Sequence, residues 1–119
     1  MLTFIRTVLL FGLISAAALA HDISGKWLFQ VETELGSGAP TFVFKQAGEK
    51  LTGTYSGTFG TADLTGTVTG DDVEFSFEVT IENQKARIVY KGKAESAGKM
   101  KGSVELPGVG SGTWTGIKQ

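Results

Sequence analysis

Side chains that could act as a nucleophile or a general base are scarce in this sequence. It contains no cysteine and a single histidine, His21. Serine and threonine nucleophiles usually need a partner base that a third group orients, so the familiar nucleophilic arrangements lack a necessary part. Glu74, Glu78 and Glu82 alternate with apolar residues, which predicts solvated carboxylates rather than groups tuned for acid-base catalysis. We therefore predict no catalytic residue and a protein that is not an enzyme.

The N-terminus carries the three parts of an export signal in order. Arg6 supplies a positive charge, residues 7–19 supply an apolar stretch, and Ala18 and Ala20 form the small-residue pattern that a signal peptidase reads. The apolar run is shorter than the roughly 20 residues that a membrane-spanning helix needs. We expect residues 1–20 to be a signal peptide, cleavage between Ala20 and His21, and a soluble periplasmic or extracellular protein without membrane insertion.

Cleavage there would leave His21 with a free α-amino group beside its imidazole. Two such nitrogens can chelate copper, but a stable site normally recruits further nitrogen ligands, and the sequence has no second histidine. Terminal residues are commonly mobile, so we interpret His21 as the residue that cleavage leaves behind. Asp71 and Asp72 follow Gly70 in a predicted turn, where aspartate is common. We predict no bound metal and no cofactor.

The mature part, residues 21–119, is long enough for one domain with a modest core. Without Arg6 it has 10 basic residues against 12 acidic ones, a net charge of −2 with the histidine neutral. Nucleic-acid binding relies on a basic surface, so we predict no nucleic-acid partner. An exported domain without cysteine must be stabilised by something other than disulfides, and closure of a sheet into a barrel is one such device.

Glycine accounts for 17 residues and proline for 2, and the glycines separate short segments in which apolar and polar residues alternate. In the clearest segment, Val73, Phe75, Phe77 and Val79 lie on one face, which assigns that face to a core. No mature segment shows a 3.6-residue apolar period, so we predict no helix. Eight strands are predicted, over residues 24–34, 41–46, 50–56, 61–69, 72–82, 85–94, 99–106 and 111–118.

Short connections between these strands favour antiparallel neighbours in up-and-down order. A two-residue turn at Asn83 and Gln84 would place Phe77 opposite Tyr90. Glycines on the apolar face would let the sheet coil tightly and would leave room inside it. We therefore predict an all-β fold, an eight-stranded antiparallel up-and-down barrel, with a two-layer β-sandwich as the alternative. The glycines concerned are Gly53, Gly66, Gly92, Gly102 and Gly112.

The interior of this barrel is the remaining candidate for a functional site. The inward-facing large side chains could fill it completely, whereas the inward-facing glycines would hollow it, so packed and hollow barrels both remain open. Inward polar groups are limited to two tyrosine hydroxyls and two indole N–H groups. A ligand would thus be mostly apolar and oriented by one or two hydrogen bonds. The residues predicted to line the site are Trp27, Tyr55, Phe77, Tyr90 and Trp114.

The start of the first strand, from Gly25 to Trp27, resembles the calycin group of lipocalins, fatty-acid-binding proteins and avidins. The resemblance implies that Trp27 closes one end of the barrel and that Lys118, on the last strand, packs over it. The segments from Leu35 to Ser37 and from Thr52 to Tyr55 are similar to segments of avidins. This resemblance implies that Ser37 and Tyr55 match residues of the biotin site. The tryptophan pairs of the middle avidin strands have no counterpart here.

These observations favour an exported, non-enzymatic binding protein that holds a small, mostly apolar ligand inside the barrel. The alternative is a packed structural or protein-interaction module without an internal ligand. The threonine-rich outer faces of the third and fourth predicted strands suggest a third hypothesis, homo-oligomerisation through the outside of the barrel.

Overall fold

The computed structural model describes residues 21–108 and 110–119, so the predicted signal peptide lies outside the described residues. The described part contains no helix long and apolar enough to cross a membrane. Its secondary structure consists of strands alone. They are β1 (Gly25–Thr33), β2 (Gly36–Gly38), β3 (Thr41–Ala47), β4 (Lys50–Gly57), β5 (Gly60–Thr69), β6 (Asp72–Ile81), β7 (Gln84–Ser96), β8 (Lys99–Leu106) and β9 (Gly110–Lys118).

The sheet closes on itself. From β3 onward each strand pairs antiparallel with the next, and β9 returns to pair with β1 from Trp27–Lys118 to Thr33–Gly112. Closure removes the free edges at which an open sheet could aggregate. The predicted all-β, antiparallel up-and-down barrel is confirmed, and the two-layer sandwich is excluded.

Strands β2 and β3 are two parts of one barrel strand, which brings the number of strands in the barrel to eight. Both pair with β1 in the same register. Pro40 interrupts them because it has no N–H to donate, yet its carbonyl oxygen accepts a hydrogen bond from Phe29 N at 3.0 Å. The sequence predicted that this strand begins at Thr41, whereas the structure extends its pairing back to Gly36.

The hairpin between β6 and β7 differs in register from the prediction. Glu82 and Asn83 form the turn, with φ values of 51° and 68°. A two-residue turn that matches the twist of its strands requires positive φ at both central positions, and asparagine tolerates that region better than most residues. The pairing consequently shifts by two residues, so that Tyr90 faces Phe75 rather than Phe77. An even shift leaves the apolar face directed inward.

Apolar side chains fill most of the interior, and none of the described polar or charged residues is buried. The side chains that alternation assigned to the interior are buried, among them all five predicted site residues. The rings form a continuous network, with Phe29 stacked on Trp114 at 4.5 Å and Phe75 stacked on Tyr90 at 5.0 Å between ring centroids. Dense aromatic packing of this kind supplies much of the stabilisation of a small domain.

The inward-facing glycines do not hollow the barrel, contrary to one of the two predictions made for them. A Cβ atom at Gly53, Gly102 or Gly112 would overlap a backbone carbonyl oxygen of the neighbouring strand. At Gly92 it would also lie 2.6 Å from the indole of Trp114. The other prediction, tight coiling, agrees with this close approach of neighbouring strands.

The end of the barrel at which β1 begins is filled, and we call it the closed end. Ile23 and Trp27 have no exposed surface there, and Trp27 Nε1 donates a hydrogen bond of 2.8 Å to the Ile23 carbonyl oxygen. Lys118 pairs with Trp27 and extends over Gly25, where a Cβ would lie 2.8 Å from Lys118 Cε. We call the opposite end, where β1 ends at Thr33, the rim end.

The segment 21–24 runs across the closed end. Ile23 N donates to Gln46 Oε1 at 2.9 Å, and Gln46 N donates to Ser24 Oγ at 3.0 Å. His21 Nε2 lies 3.3 Å from an oxygen of Asp71, in the turn between β5 and β6. That turn is at least three strands from β1 in either direction around the barrel, so the segment spans its diameter. This arrangement differs from the mobile terminal residue that the sequence suggested.

Candidate functional site

A cavity of about 120 Å³ opens at the rim end of the barrel. Its inner part is aromatic and aliphatic, and its outer part combines glycines and small polar residues with apolar side chains from the strand ends and connections at the rim. The inner lining is Val31, Tyr55, Phe77, Ile88, Tyr90 and Val104, and the outer lining includes Thr33, Leu35, Gly36, Ser37, Gly38, Pro40, Thr58, Phe59 and Leu106.

The turn between β4 and β5 forms one side of the opening. Phe59 is half-buried and packs against the core, and its N–H donates a hydrogen bond of 3.3 Å to the Tyr55 hydroxyl. A Cβ at Gly57 would lie 2.6 Å from that hydroxyl, so the glycine leaves the space that the tyrosine oxygen occupies. Gly60 ends the turn with φ of 99°, a conformation that favours glycine. These contacts hold Phe59 at the mouth of the cavity.

Two tyrosines supply the polar groups of the inner lining. The Tyr55 ring stacks on Phe77 at 4.3 Å between centroids. Burial raises the pKa of Tyr55, an effect that the hydrogen bond from Phe59 N partly offsets. Burial also raises the pKa of Tyr90, and the proximity of Tyr55 raises it further. Both hydroxyls are therefore protonated at neutral pH, and each has a proton to donate.

Three of the five predicted site residues line this cavity, namely Tyr55, Phe77 and Tyr90. Trp27 lies at the closed end, and Trp114 lies in the filled part of the barrel, where its indole stacks on a phenylalanine. Alternation along a strand shows which side chains face inward, but it does not show at which height along the barrel they meet. Contact of any of the five with a ligand stays a prediction.

The outer lining was largely missed by sequence reasoning. Ser37 was singled out by the resemblance to avidins, and it lines the same cavity as Tyr55. Phe59 was recognisable as a large apolar residue in a predicted turn, but a turn residue can point away from the fold. Pro40 and Leu106 carry no signal that would distinguish cavity lining from ordinary core.

No aspartate or glutamate is among the described residues that line this cavity. The side chains of Glu74, Glu78, Glu82 and Glu105 are exposed, as alternation along the strands predicts for all four. Within residues 21–108 and 110–119, no group of three or more histidine, cysteine, aspartate or glutamate side chains could hold a metal ion together.

Comparison with solved structures identifies the architecture. Similar structures are a redesigned β-barrel (TM-score 0.63, 18% identity, covering 87% of this chain and 94% of that one), the redesigned barrel mFAP1 bound to DFHBI (0.59, 15%, 87% and 98%), and a de novo designed fluorescence-activating β-barrel (0.57, 14%, 87% and 97%). This chain shares their fold. At such identities the likeness shows the fold alone. No protein-family model and no curated protein matches the sequence.

Proposed function

We propose that this chain is an exported, non-enzymatic binding protein that holds a small, mostly apolar ligand in the cavity at the rim end. The observation that carries the proposal is an aromatic cavity, open at one end of an otherwise filled barrel, into which two protonated tyrosines are built. Small-molecule sites typically combine such an apolar lining with few polar groups that orient the ligand.

The size of the cavity limits the class of ligand. An apolar cavity of roughly 150 Å³ accepts a benzene molecule. The space of about 120 Å³ therefore suits one small ring or the end of a longer apolar molecule that projects past Thr58 and Ser37. Because the tyrosine hydroxyls have protons to donate, the preferred ligand carries a hydrogen-bond acceptor on that ring.

The fold supports this proposal, since the redesigned barrel mFAP1 is recorded with DFHBI bound. A calycin-like assignment is supported by the buried Trp27 at the closed end and by Lys118, which extends over Gly25. Ser37 and Tyr55, the residues that resemble the avidin site, both line the cavity.

Export is proposed on the signal-like pattern of Arg6, the apolar stretch at 7–19, and the small residues before His21. The absence of catalysis is proposed because no acid-base pair accompanies the tyrosines in the cavity lining. The single histidine of the sequence, His21, lies at the closed end and not in the cavity.

Titration of the mature chain with toluene and with phenol, followed by amide NMR, tests the proposal. We expect both probes to shift the amides of Ser37, Phe59 and Ile88, and phenol to bind more tightly. Tyr90→Phe should weaken phenol binding by about 3- to 10-fold, the equivalent of one hydrogen bond, and leave toluene binding unchanged.

A matched pair of tryptophan substitutions provides the control. Thr58 lies at the mouth of the cavity and Thr54 lies on the outer face of the same hairpin, and both side chains are exposed. Thr58→Trp should obstruct the opening and weaken both probes, whereas Thr54→Trp should not. Absence of any shift with either probe, together with a bare mass for protein purified from its own host, would overturn the proposal.

That outcome would favour the alternative, a packed module that works through its surface. One observation supports it: the exposed side chains of Leu28, Val43 and Ile117 lie on the adjacent strands β1, β3 and β9, with Leu28 directly opposite Ile117. Apolar residues exposed on neighbouring strands are a common feature of interaction surfaces.

A further inference from the structure

The closed end, far from the cavity, brings together two side chains of types that bind or orient metal ions. His21 Nε2 and Asp71 Oδ1 are 3.3 Å apart, and their side chains are 32% and 55% exposed. The imidazole is thus accessible to a small ion, although the segment that carries it is fastened to the barrel. Cleavage before His21, which belongs to the proposed export, would add a free α-amino group at the same place.

We propose that this cleavage creates a Cu²⁺ site at the closed end, in which the α-amino nitrogen and the imidazole Nδ1 of His21 bind the ion and Asp71 accepts a hydrogen bond from Nε2–H. The inference rests on the export part of the proposed function and is independent of the ligand cavity. Before cleavage the nitrogen of His21 is part of a peptide bond and is a poor ligand, so the site forms only on maturation.

Anchoring of the N-terminal segment pre-positions the histidine. The Ile23 side chain is fully buried, and two hydrogen bonds join residues 23 and 24 to Gln46. A histidine two residues before such an anchor loses little conformational freedom when it binds an ion, whereas a mobile terminus would lose more.

The orientation of the ring assigns a different role to each nitrogen. Because Nε2 faces Asp71, Nδ1 remains on the side of the ring nearer its own backbone, where it can chelate together with the α-amino group. Histidines that bind metals characteristically donate their other ring N–H to a carboxylate, which fixes the tautomer and makes the ligating nitrogen more basic. Asp71 therefore acts as a positioning residue and not as a ligand.

Asp71 is available for this role because the next carboxylate has a different partner. Lys93 Nζ lies 2.7 Å from Asp72 Oδ1, and that hydrogen bond raises the pKa of Lys93. The two aspartates of one turn thus have different nearest partners, His21 for Asp71 and Lys93 for Asp72. Among divalent first-row metals, Cu²⁺ binds nitrogen ligands most strongly. The sequence has no second histidine that could add a nitrogen, so water completes the coordination at this exposed site. The expectation of no bound metal is thus revised for the cleaved chain alone.

The test uses the chain that begins at His21, titrated with Cu²⁺ alone and followed by visible absorption and electron paramagnetic resonance. We expect one ion per chain with nitrogen coordination. Asp71→Ala should weaken binding by about 10- to 100-fold, as for other partners of ligating histidines. Asp72→Ala, in the same turn, should leave the affinity unchanged.

Acetylation of the α-amino group provides the second arm and should abolish the site. Undiminished binding by the acetylated chain, or equal affinities for Asp71→Ala and Asp72→Ala, would overturn the proposal. N-terminal sequencing of exported protein must find His21 first, and any other first residue also overturns it. Phenol titration of the same samples separates the two proposals, because the cavity at the rim end does not depend on copper, on Asp71 or on the α-amino group.

Discussion

At the scale of single residues, the environment of Tyr90 combines an apolar enclosure with a polar atom. Its ring lies 5.0 Å from the centroid of Phe75 and 5.3 Å from that of Phe42, and only 4% of the residue is exposed. Burial among rings disfavours the phenolate because a charge is poorly solvated there. The raised pKa of Tyr90 therefore reports on the same enclosure that would hold a ligand.

This enclosure predicts how stability depends on pH in the alkaline range. Burial raises the folded-state pKa of Tyr90 above the ordinary value for tyrosine, about 10. The stabilisation is therefore complete below about pH 10 and is lost as the pH rises toward the folded-state pKa, because the unfolded chain ionises first. The free energy of unfolding should fall by up to about 1.4 kcal/mol per pH unit for this group. Urea unfolding between about pH 9 and 11 measures the slope.

Tyr90→Phe is the matched control, because it keeps the ring and removes the ionisable group. Its slope should be smaller than that of the wild type over the same range, with Tyr55, whose pKa is also raised, accounting for part of the remainder. Equal slopes for the two proteins would show that Tyr90 ionises as easily in the folded barrel as in the unfolded chain.

At the scale of elements, the approach of β7 to β8 shows why glycine recurs on the inner face. Gly92 and Gly102 are directly opposite each other in the pairing of these strands. A Cβ at Gly102 would overlap the Lys91 carbonyl oxygen and lie 2.5 Å from the Cα of Gly92. The obstructing atoms are backbone, so they cannot move aside as a flexible side chain would.

Gly102→Ala should accordingly destabilise the barrel by about 1–3 kcal/mol, the usual cost of overpacking. Gly98→Ala is the control, because the nearest atom to a Cβ there is Lys118 Cβ at 3.9 Å, an ordinary contact. Urea unfolding of both variants measures the difference in the free energy of unfolding. A cost at Gly98 that equals the cost at Gly102 would mean that the close approach of strands does not constrain this position.

At the scale of the whole molecule, the two ends of the barrel differ in construction and in proposed role. The closed end is filled by Ile23 and Trp27 beneath the segment that leads to His21. The rim end keeps a cavity between the hairpin that follows β1 and the turn that contains Phe59. The filled part between them separates the proposed site for an apolar ligand from the proposed site for a metal ion.

Residues 21–24 form a plug at the closed end, and Ile23 is its buried side chain. Truncation of Ile23 should therefore lower the free energy of unfolding without affecting the cavity at the rim end. Ile23→Ala should cost about 2–5 kcal/mol, as for other large-to-small substitutions at buried positions, and should shift the fluorescence of Trp27 toward that of a solvated indole. Leu28→Ala, at a side chain that is 36% exposed, should cost less than about 1 kcal/mol. A small cost for Ile23→Ala, or a loss of phenol binding in the stable fraction, would contradict this division of the barrel.

The sequence by itself determined the class of the fold and the face of each strand. Alternation is a local property with a period of two residues, so it placed Tyr55, Phe77 and Tyr90 inside before any pairing was known. The same signal placed Trp27 and Trp114 inside equally well, although they do not line the cavity.

Only the tertiary structure decided where along the barrel these side chains meet. The height at which two side chains meet depends on the pairing register of their strands. That register is set by the turn at Glu82 and Asn83, with its positive φ values, and by the pairing of β1 with β2 beyond Pro40. The plug formed by residues 21–24 and the contact of His21 with Asp71 join segments that are far apart in sequence. Such contacts form only when the sheet has closed, and no local pattern of residues encodes that geometry.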